Sequence, residues 1–147
     1  MSSLHQLAAA LGTSITDFFQ EDEAQIVVHV QKDARLEYRR GGISMKSLGA
    51  GLHDQRLEPF LITVEPGMTS EDPVEHPGQE FVFCQEGTID YEVDGKSYSL
   101  QPGDSLILDA TRPHLFRNSQ SHAATLLVVF QASDNLSLAR QRHLGGG

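Results

Sequence analysis

The stretch HPGQEFVFCQEG, residues 76–87, decides the fold. Its centre, EFVFCQ, is short and rich in aromatic residues, and Pro77-Gly78 and Glu86-Gly87 bound it on either side, which is how a β-strand between two turns is written. Side chains alternate across a strand, so if Glu80 points inward, Val82 and Cys84 follow it while Phe81 and Phe83 take the other face. An inward glutamate is costly unless it is paired, ligated or hydrogen-bonded. His76, four residues earlier, is the first candidate partner.

The same period of two runs through most of the chain. QIVVHV, ARLEYRR, ISMKSL, FLITVE, EFVFCQ, IDYEVD, SYSL, SLILD, HLFRN and TLLVVF read as strands, separated by turn signals at EPG (65–67), EG (86–87), DG (94–95), PGD (102–104) and RP (112–113). That spacing predicts a β-sandwich or barrel. On HLFRN, alternation puts His114, Phe116 and Asn118 on one face, so His76, Glu80 and His114 form an inward-facing set if the two strands are neighbours. Ahead of the strands, residues 2–20 read as two short helices. Leu4, Leu7, Ala8 and Leu11 form an apolar stripe that ends at Gly12, and Ser14 opens a second helix carrying Ile15, Phe18 and Phe19.

Composition narrows the function. A chain of 147 residues, 39% hydrophobic and 21% charged, allows one main domain with a sizeable core. Its formal charge of −9 argues against a broad nucleic-acid-binding surface, because phosphate contacts need cations. The longest apolar run, AATLLVVF at 123–130, falls far short of a membrane span. The first residues lack the basic start and apolar middle of a signal peptide, and with Cys84 as the one cysteine no intramolecular disulfide can form; both point to the cytoplasm. Glycine-rich phosphate loops, serine triads and zinc-knuckle spacings are absent, and no separate acid or base fixes a reaction type.

Two resemblances sharpen this reading. The segment from Gly67 through H76-PGQ-E80-FVFCQE-G87, followed by G103-DSLILDATRP-H114-LFR-N118, resembles the two motifs of the cupin superfamily over roughly residues 58–131. The resemblance implies an all-β, antiparallel jelly-roll barrel. In metal-binding cupins two histidines and a glutamate of the first motif join a histidine of the second, which by position here gives His76, Glu80 and His114. The place of the first histidine is taken by Val74, so three ligands would stand where the family has four; Asp72 and Glu75 are near enough in sequence to substitute. Three nitrogen and oxygen ligands still suit one divalent metal such as iron, manganese, nickel or zinc.

The second resemblance lies at L4-HQLAAALG-TS-ITDFF, which is similar to the last two helices of the Cro/repressor-type helix-turn-helix domain. GISMKSL (42–48) and VEPGMTSEDPVEHPGQE (64–80) also resemble regulators that join that domain to a cupin, a family that includes repressors of polyamine catabolism. The implied organisation is a helix-turn-helix remnant at 1–20, a linking segment with N-terminal strands at 21–57, the cupin core at 58–131 and a tail at 132–147, with the DNA-reading helix lying before residue 1. The expected function is effector binding and dimerisation in a transcriptional regulator. A small molecule in the barrel mouth would touch His76, Glu80, His114 and Phe116, and a homodimer would reach DNA through the missing helix-turn-helix part. The alternative is a small metal-dependent cupin enzyme of oxygenase or isomerase type, so a metal and an organic ligand both stand as occupants. Simpler roles cover other residues: Cys84 reads as a small core residue, Asp90 and Glu92 as a solvated face, and Phe81 and Phe83 as packing for a sheet or a dimer partner.

Overall fold

The computed structural model describes residues 25–70 and 72–132. Nine strands follow a short 3-10 turn at Lys32–Ala34: β1 Glu37–Arg40, β2 Ile43–Ser47, β3 Leu57–Val64, β4 Gln79–Glu86, β5 Ile89–Val93, β6 Lys96–Leu100, β7 Ser105–Asp109, β8 His114–Arg117 and β9 Ala124–Gln131. They form two antiparallel sheets, ordered β1-β2-β3-β9-β4-β7 and β6-β5-β8. The all-β expectation holds across the described residues, whereas the two helices expected at 2–20 lie outside them.

Turn chemistry sets the connections. Asp94 and Gly95 both take positive φ, 53° and 82°, which is the two-residue hairpin geometry that Asp-Gly favours, and β5 folds back on β6 there. Gly87 sits at φ +73° beside a shift in the β4–β9 register, and a Cβ on it would lie 2.4 Å from the Ala123 carbonyl oxygen. Only glycine fits that approach.

One expected strand does not form. QIVVHV at 25–30 makes a single bridge, Gln25 to Leu52, and leaves Ile26 and Val27 exposed. Its β-branched residues suit a strand, but a strand needs a partner edge, and β1 already occupies that end of the larger sheet.

The inner faces of both sheets share one core. Met45, Phe60, Ile62, Val82, Ile89, Tyr91, Leu126 and Phe130 are among its fully buried members, and each such side chain contributes roughly 1.5–3 kcal/mol of transfer free energy. Cys84 belongs to this core, donates from Sγ to the Gly87 carbonyl oxygen at 3.2 Å, and has its thiol pKa raised, chiefly by burial, which leaves it inert.

Candidate functional site

Register brings the expected residues together. Glu80 is buried on β4 with Val82 and Cys84, while Phe81 turns outward. His114 opens β8, and Val74 forms an isolated bridge with it, its N–H donating to the His114 carbonyl and its own carbonyl accepting in return, both at 3.0 Å. That bridge ties the segment carrying His76 to the start of β8. His76, Glu80 and His114 consequently meet inside the core, all three buried, with one potential ligand atom from each lying within 4.8 Å of the others.

The contacts are specific. Glu80 Oε1 lies 3.1 Å from His76 Nε2 and 3.4 Å from His114 Nε2, and Glu80 Oε2 accepts a short hydrogen bond from the Tyr91 hydroxyl. The Nδ1 of His114 is 2.7 Å from the Arg112 carbonyl oxygen, and that of His76 is 3.2 Å from the Pro77 carbonyl oxygen. A carbonyl only accepts, so each Nδ1 donates and each Nε2 is turned toward Glu80. At His114 the Nε2 is near enough for charge attraction but makes no hydrogen bond, and it is one of two buried side-chain atoms without such a partner among the described residues.

Electrostatics follow from this geometry. Burial alone would drive Glu80 toward its neutral form, but the close polar contacts and charges of His114 and His76 outweigh that and hold its carboxyl at about 2, so it is ionised. Burial also pulls His114 down, yet the Glu80 carboxylate reverses the sign and its pKa is raised. Tyr91 is pushed well above its ordinary value, first by burial and then by the Glu80 charge, which keeps it a hydroxyl donor.

These residues fit a divalent metal. Two imidazole nitrogens and a carboxylate oxygen are the donors of a two-histidine, one-carboxylate site, carbonyl-anchored Nδ1 atoms are the usual support of ligating histidines, and the buried His114 Nε2 makes no hydrogen bond among the described residues. Asp72 and Glu75 are exposed and are not in this cluster, so neither replaces the missing fourth ligand. Val74 is buried on the chain paired with His114, which explains how a histidine there would complete four. Phe116 is buried one layer away and stacks on Tyr91 at 5.8 Å between ring centroids. Asn118 is used structurally, its amide donating to the Val64 and His122 carbonyls.

Two inward titratable residues escaped the sequence reading. Tyr91 alternates with Asp90 and Glu92, whose partners Ser119 and Arg117 lie on the solvated side, so its inward direction was legible but its bond to Glu80 was not. Glu58 is the other. It is 4% exposed, shares the inner face of β3 with Phe60, Ile62 and Val64, and its Oε2 is the second buried atom without a hydrogen-bond partner. Its place in that alternation was the available signal.

Comparison with known proteins agrees with the geometry. Residues 60–130 match the cupin domain family. Over 125 residues the chain is 31% identical to the HTH-type transcriptional regulator PuuR of Escherichia coli, an alignment covering 82% of this chain and 66% of that protein, so the chain spans about two thirds of the relative's length. Among solved structures, the cupin domain of an XRE family transcriptional regulator from Enterobacter cloacae superposes with a TM-score of 0.56 at 22% identity, over 60% of this chain and 95% of that one. A sugar phosphate isomerase of the cupin superfamily from Silicibacter pomeroyi gives 0.59 at 28% identity, over 69% and 74%. The buried histidine–glutamate cluster, the two-sheet fold and these matches together place the chain in the cupin family, as a homologue of helix-turn-helix regulators that carry a cupin domain.

Proposed function

We propose that this chain is the effector-binding and dimerisation part of a helix-turn-helix transcriptional regulator, with the ligand held at His76, Glu80 and His114. The observation that carries this reading is the 31% identity with a transcriptional regulator across 82% of the chain, a longer stretch than the cupin match at residues 60–130. The site's chemistry suits the role: an ionised, buried carboxylate with three neighbouring polar groups recognises a cationic or hydrogen-bond-donating small molecule. Binding biases the regulator only as far as the ligand prefers one arrangement of the dimer over another.

The dimer would form through the outer face of the larger sheet. Leu57, Phe81 and Ile107 are exposed there, and a depression of about 240 Å³ is lined by residues that include them, Gln79, Val129 and Gln131. Exposed apolar patches of this kind mark association surfaces. Among the described residues, no helix is long and apolar enough to cross a membrane.

Titration calorimetry with a panel of aliphatic amines, on the chain as it stands and on Glu80→Gln, tests the effector reading. Saturable binding lost in the variant is expected; binding unchanged in Glu80→Gln removes the site assignment.

A second reading has its own observation. The donor set and the His114 Nε2 that lacks a hydrogen bond favour a metal-dependent enzyme, and a sugar phosphate isomerase is among the similar structures. His76, Glu80 and His114 would hold the metal, which supplies Lewis acidity and open coordination positions when bound. Tyr91 would orient the Glu80 carboxylate and keep its own proton. Elemental analysis after metal-supplemented expression separates the readings: near-stoichiometric metal that disappears in His114→Ala favours the enzyme, and metal well below stoichiometry favours an organic effector.

A further inference from the structure

The larger sheet runs from β1 to β7, and each end leaves a backbone edge to fill. At the β7 end, pairing among the described residues is with β4 alone. Residues of an antiparallel pair alternate between those that exchange both backbone bonds with the neighbouring strand and those that turn N–H and C=O the other way. The Cys84 N–H donates to the Asp104 carbonyl and the Ala110 N–H to the Gly78 carbonyl, so by register Leu106 and Leu108 are bonded to β4. Ser105 and Ile107 therefore turn their backbone groups to the open edge. The Ile107 side chain is exposed beside them, and a groove lined by Gln79, Leu108, Asp109 and Thr111 runs along the strand.

At the β1 end lies the converse, a strand-forming segment without an edge. Residues 25–31, QIVVHVQ, are rich in β-branched side chains and make one bridge, Gln25 to Leu52. Val28 and Val30 are half-buried while Val27 and His29 are exposed, which is the alternation of a strand, and Gln31 is extended at φ −76° and ψ 152°. Ile26, Val27 and Leu36 lie exposed around it.

Charge divides the same way. In a chain of net charge −9, residues 25–46 carry five lysines and arginines against two acids. Residues 97–111, which hold β7, carry Asp104 and Asp109 and no cation. The two ends are complementary in backbone need, apolar surface and charge, but four strands stand between β1 and β7, which sets them about 24 Å apart. A second copy brings them together. When two outer faces pack with a two-fold axis parallel to the strands, the β1 end of each copy lies over the β7 end of the other, across a gap of about 10 Å.

We infer that residues 25–31 are an exchange arm: in the dimer each copy lays this segment as an added strand along the β7 edge of its partner. The inference rests on the dimerisation reading of the outer face and specifies how the two copies are turned. Main-chain bonds to Ser105 and Ile107 hold the arm, the basic residues that follow it lie toward Asp104 and Asp109, and the two-fold axis makes the contact twice.

Light scattering and thermal melts on wild type, Val28→Pro and Ile107→Lys test the arm. Proline removes an amide donor and disfavours a strand, and residue 28 lies in no strand of the single copy, so Val28→Pro should melt within a few degrees of wild type at concentrations where both are monomeric. Its dimer dissociation constant should rise at least tenfold. A dimer that survives Val28→Pro but is lost in Ile107→Lys overturns the arm and leaves the outer-face dimer standing, and a monomeric wild type overturns both. Disulfide trapping reads the arrangement directly. Ile107→Cys is mixed with single-cysteine substitutions at each of residues 26–30 in turn, with wild type, whose Cys84 is buried, as the control. At least one mixture should give a covalent heterodimer under mild oxidation, because facing side chains of paired strands lie about 5 Å apart. No link from any arm position overturns the exchange, and so does Ile107→Cys linking to itself, which would mean that the β7 edges of two copies meet each other.

Discussion

The two faces of the β3–β9–β4–β7 region of the larger sheet depart from the usual distribution of polarity. The inner face, otherwise apolar, buries Glu58 and Glu80 in one row, while the outer face exposes Leu57, Phe81 and Ile107. Exposed single apolar residues need no explanation, but buried carboxyls and clustered exposed hydrophobics do. Neighbouring residues on the same strands make both departures, Leu57 beside Glu58 and Glu80 beside Phe81, so they follow from one register. The inner departure is where the proposed ligand would sit, and the outer one is where the proposed dimer would form.

The two inner carboxyls also differ from each other. Glu80 has three polar neighbours and is held ionised at about 2, whereas Glu58 Oε2 makes no hydrogen bond among the described residues and burial pushes the carboxyl up to about 8. One row thus holds two acids with opposite responses to pH.

The largest expected effect breaks the paired member. Glu80→Ala leaves two buried histidines and Tyr91 without their common acceptor, and we expect a loss of roughly 3 kcal/mol at neutral pH by urea denaturation. Because the folded pKa of Glu80 is depressed, its contribution is present above the unfolded value of 4.5 and is lost as pH falls toward 2. The gap between wild type and variant should therefore close below pH 4.

Next is the unpaired member, with the opposite sign. The folded pKa of Glu58 is raised from 4.5 to about 8, so the folded state binds its proton more tightly than the unfolded chain does. Its contribution is fully present below pH 4.5 and is lost as pH rises toward 8. Glu58→Gln, which cannot ionise, should match wild type near pH 4 and exceed it by at most about 3 kcal/mol at pH 7. Equal stability at both pH values would show that Glu58 has a partner in the free protein.

Smaller effects sharpen the comparison. Tyr91→Phe removes one donor to Glu80 and keeps the stack on Phe116, so a loss of about 1–2 kcal/mol is expected, with the acid limb of the stability profile moved to higher pH. On the outer face, Ile107→Lys should change monomer stability by less than about 0.5 kcal/mol, because Ile107 is 69% exposed. The same variant should convert the proposed dimer to monomer by light scattering, and an unchanged mass would place the interface elsewhere.

Much of this was legible before any coordinates. The period of two, the Asp-Gly and Pro-Gly turns and the direction of Glu80, Val82 and Cys84 all came from local pattern, because alternation is a property of the strand itself. QIVVHV misled for the complementary reason: β propensity is local, but a strand exists only where a neighbour's edge is free. Glu58 was missed because a charged residue at the start of a run reads as the end of a strand.

The sequence by itself determined the all-β class and the turns, since each depends on residues close in the chain, and it gave His76, Glu80 and His114 as an inward set only on condition that their strands are neighbours. Tertiary structure decided that His76 and His114 converge on one oxygen of Glu80, that Tyr91 takes the other, and that Glu58 shares Glu80's row across Phe130. Those facts rest on which strands are neighbours and in what register, and pairing between segments far apart in the chain is fixed by how a whole core packs, which no local pattern encodes.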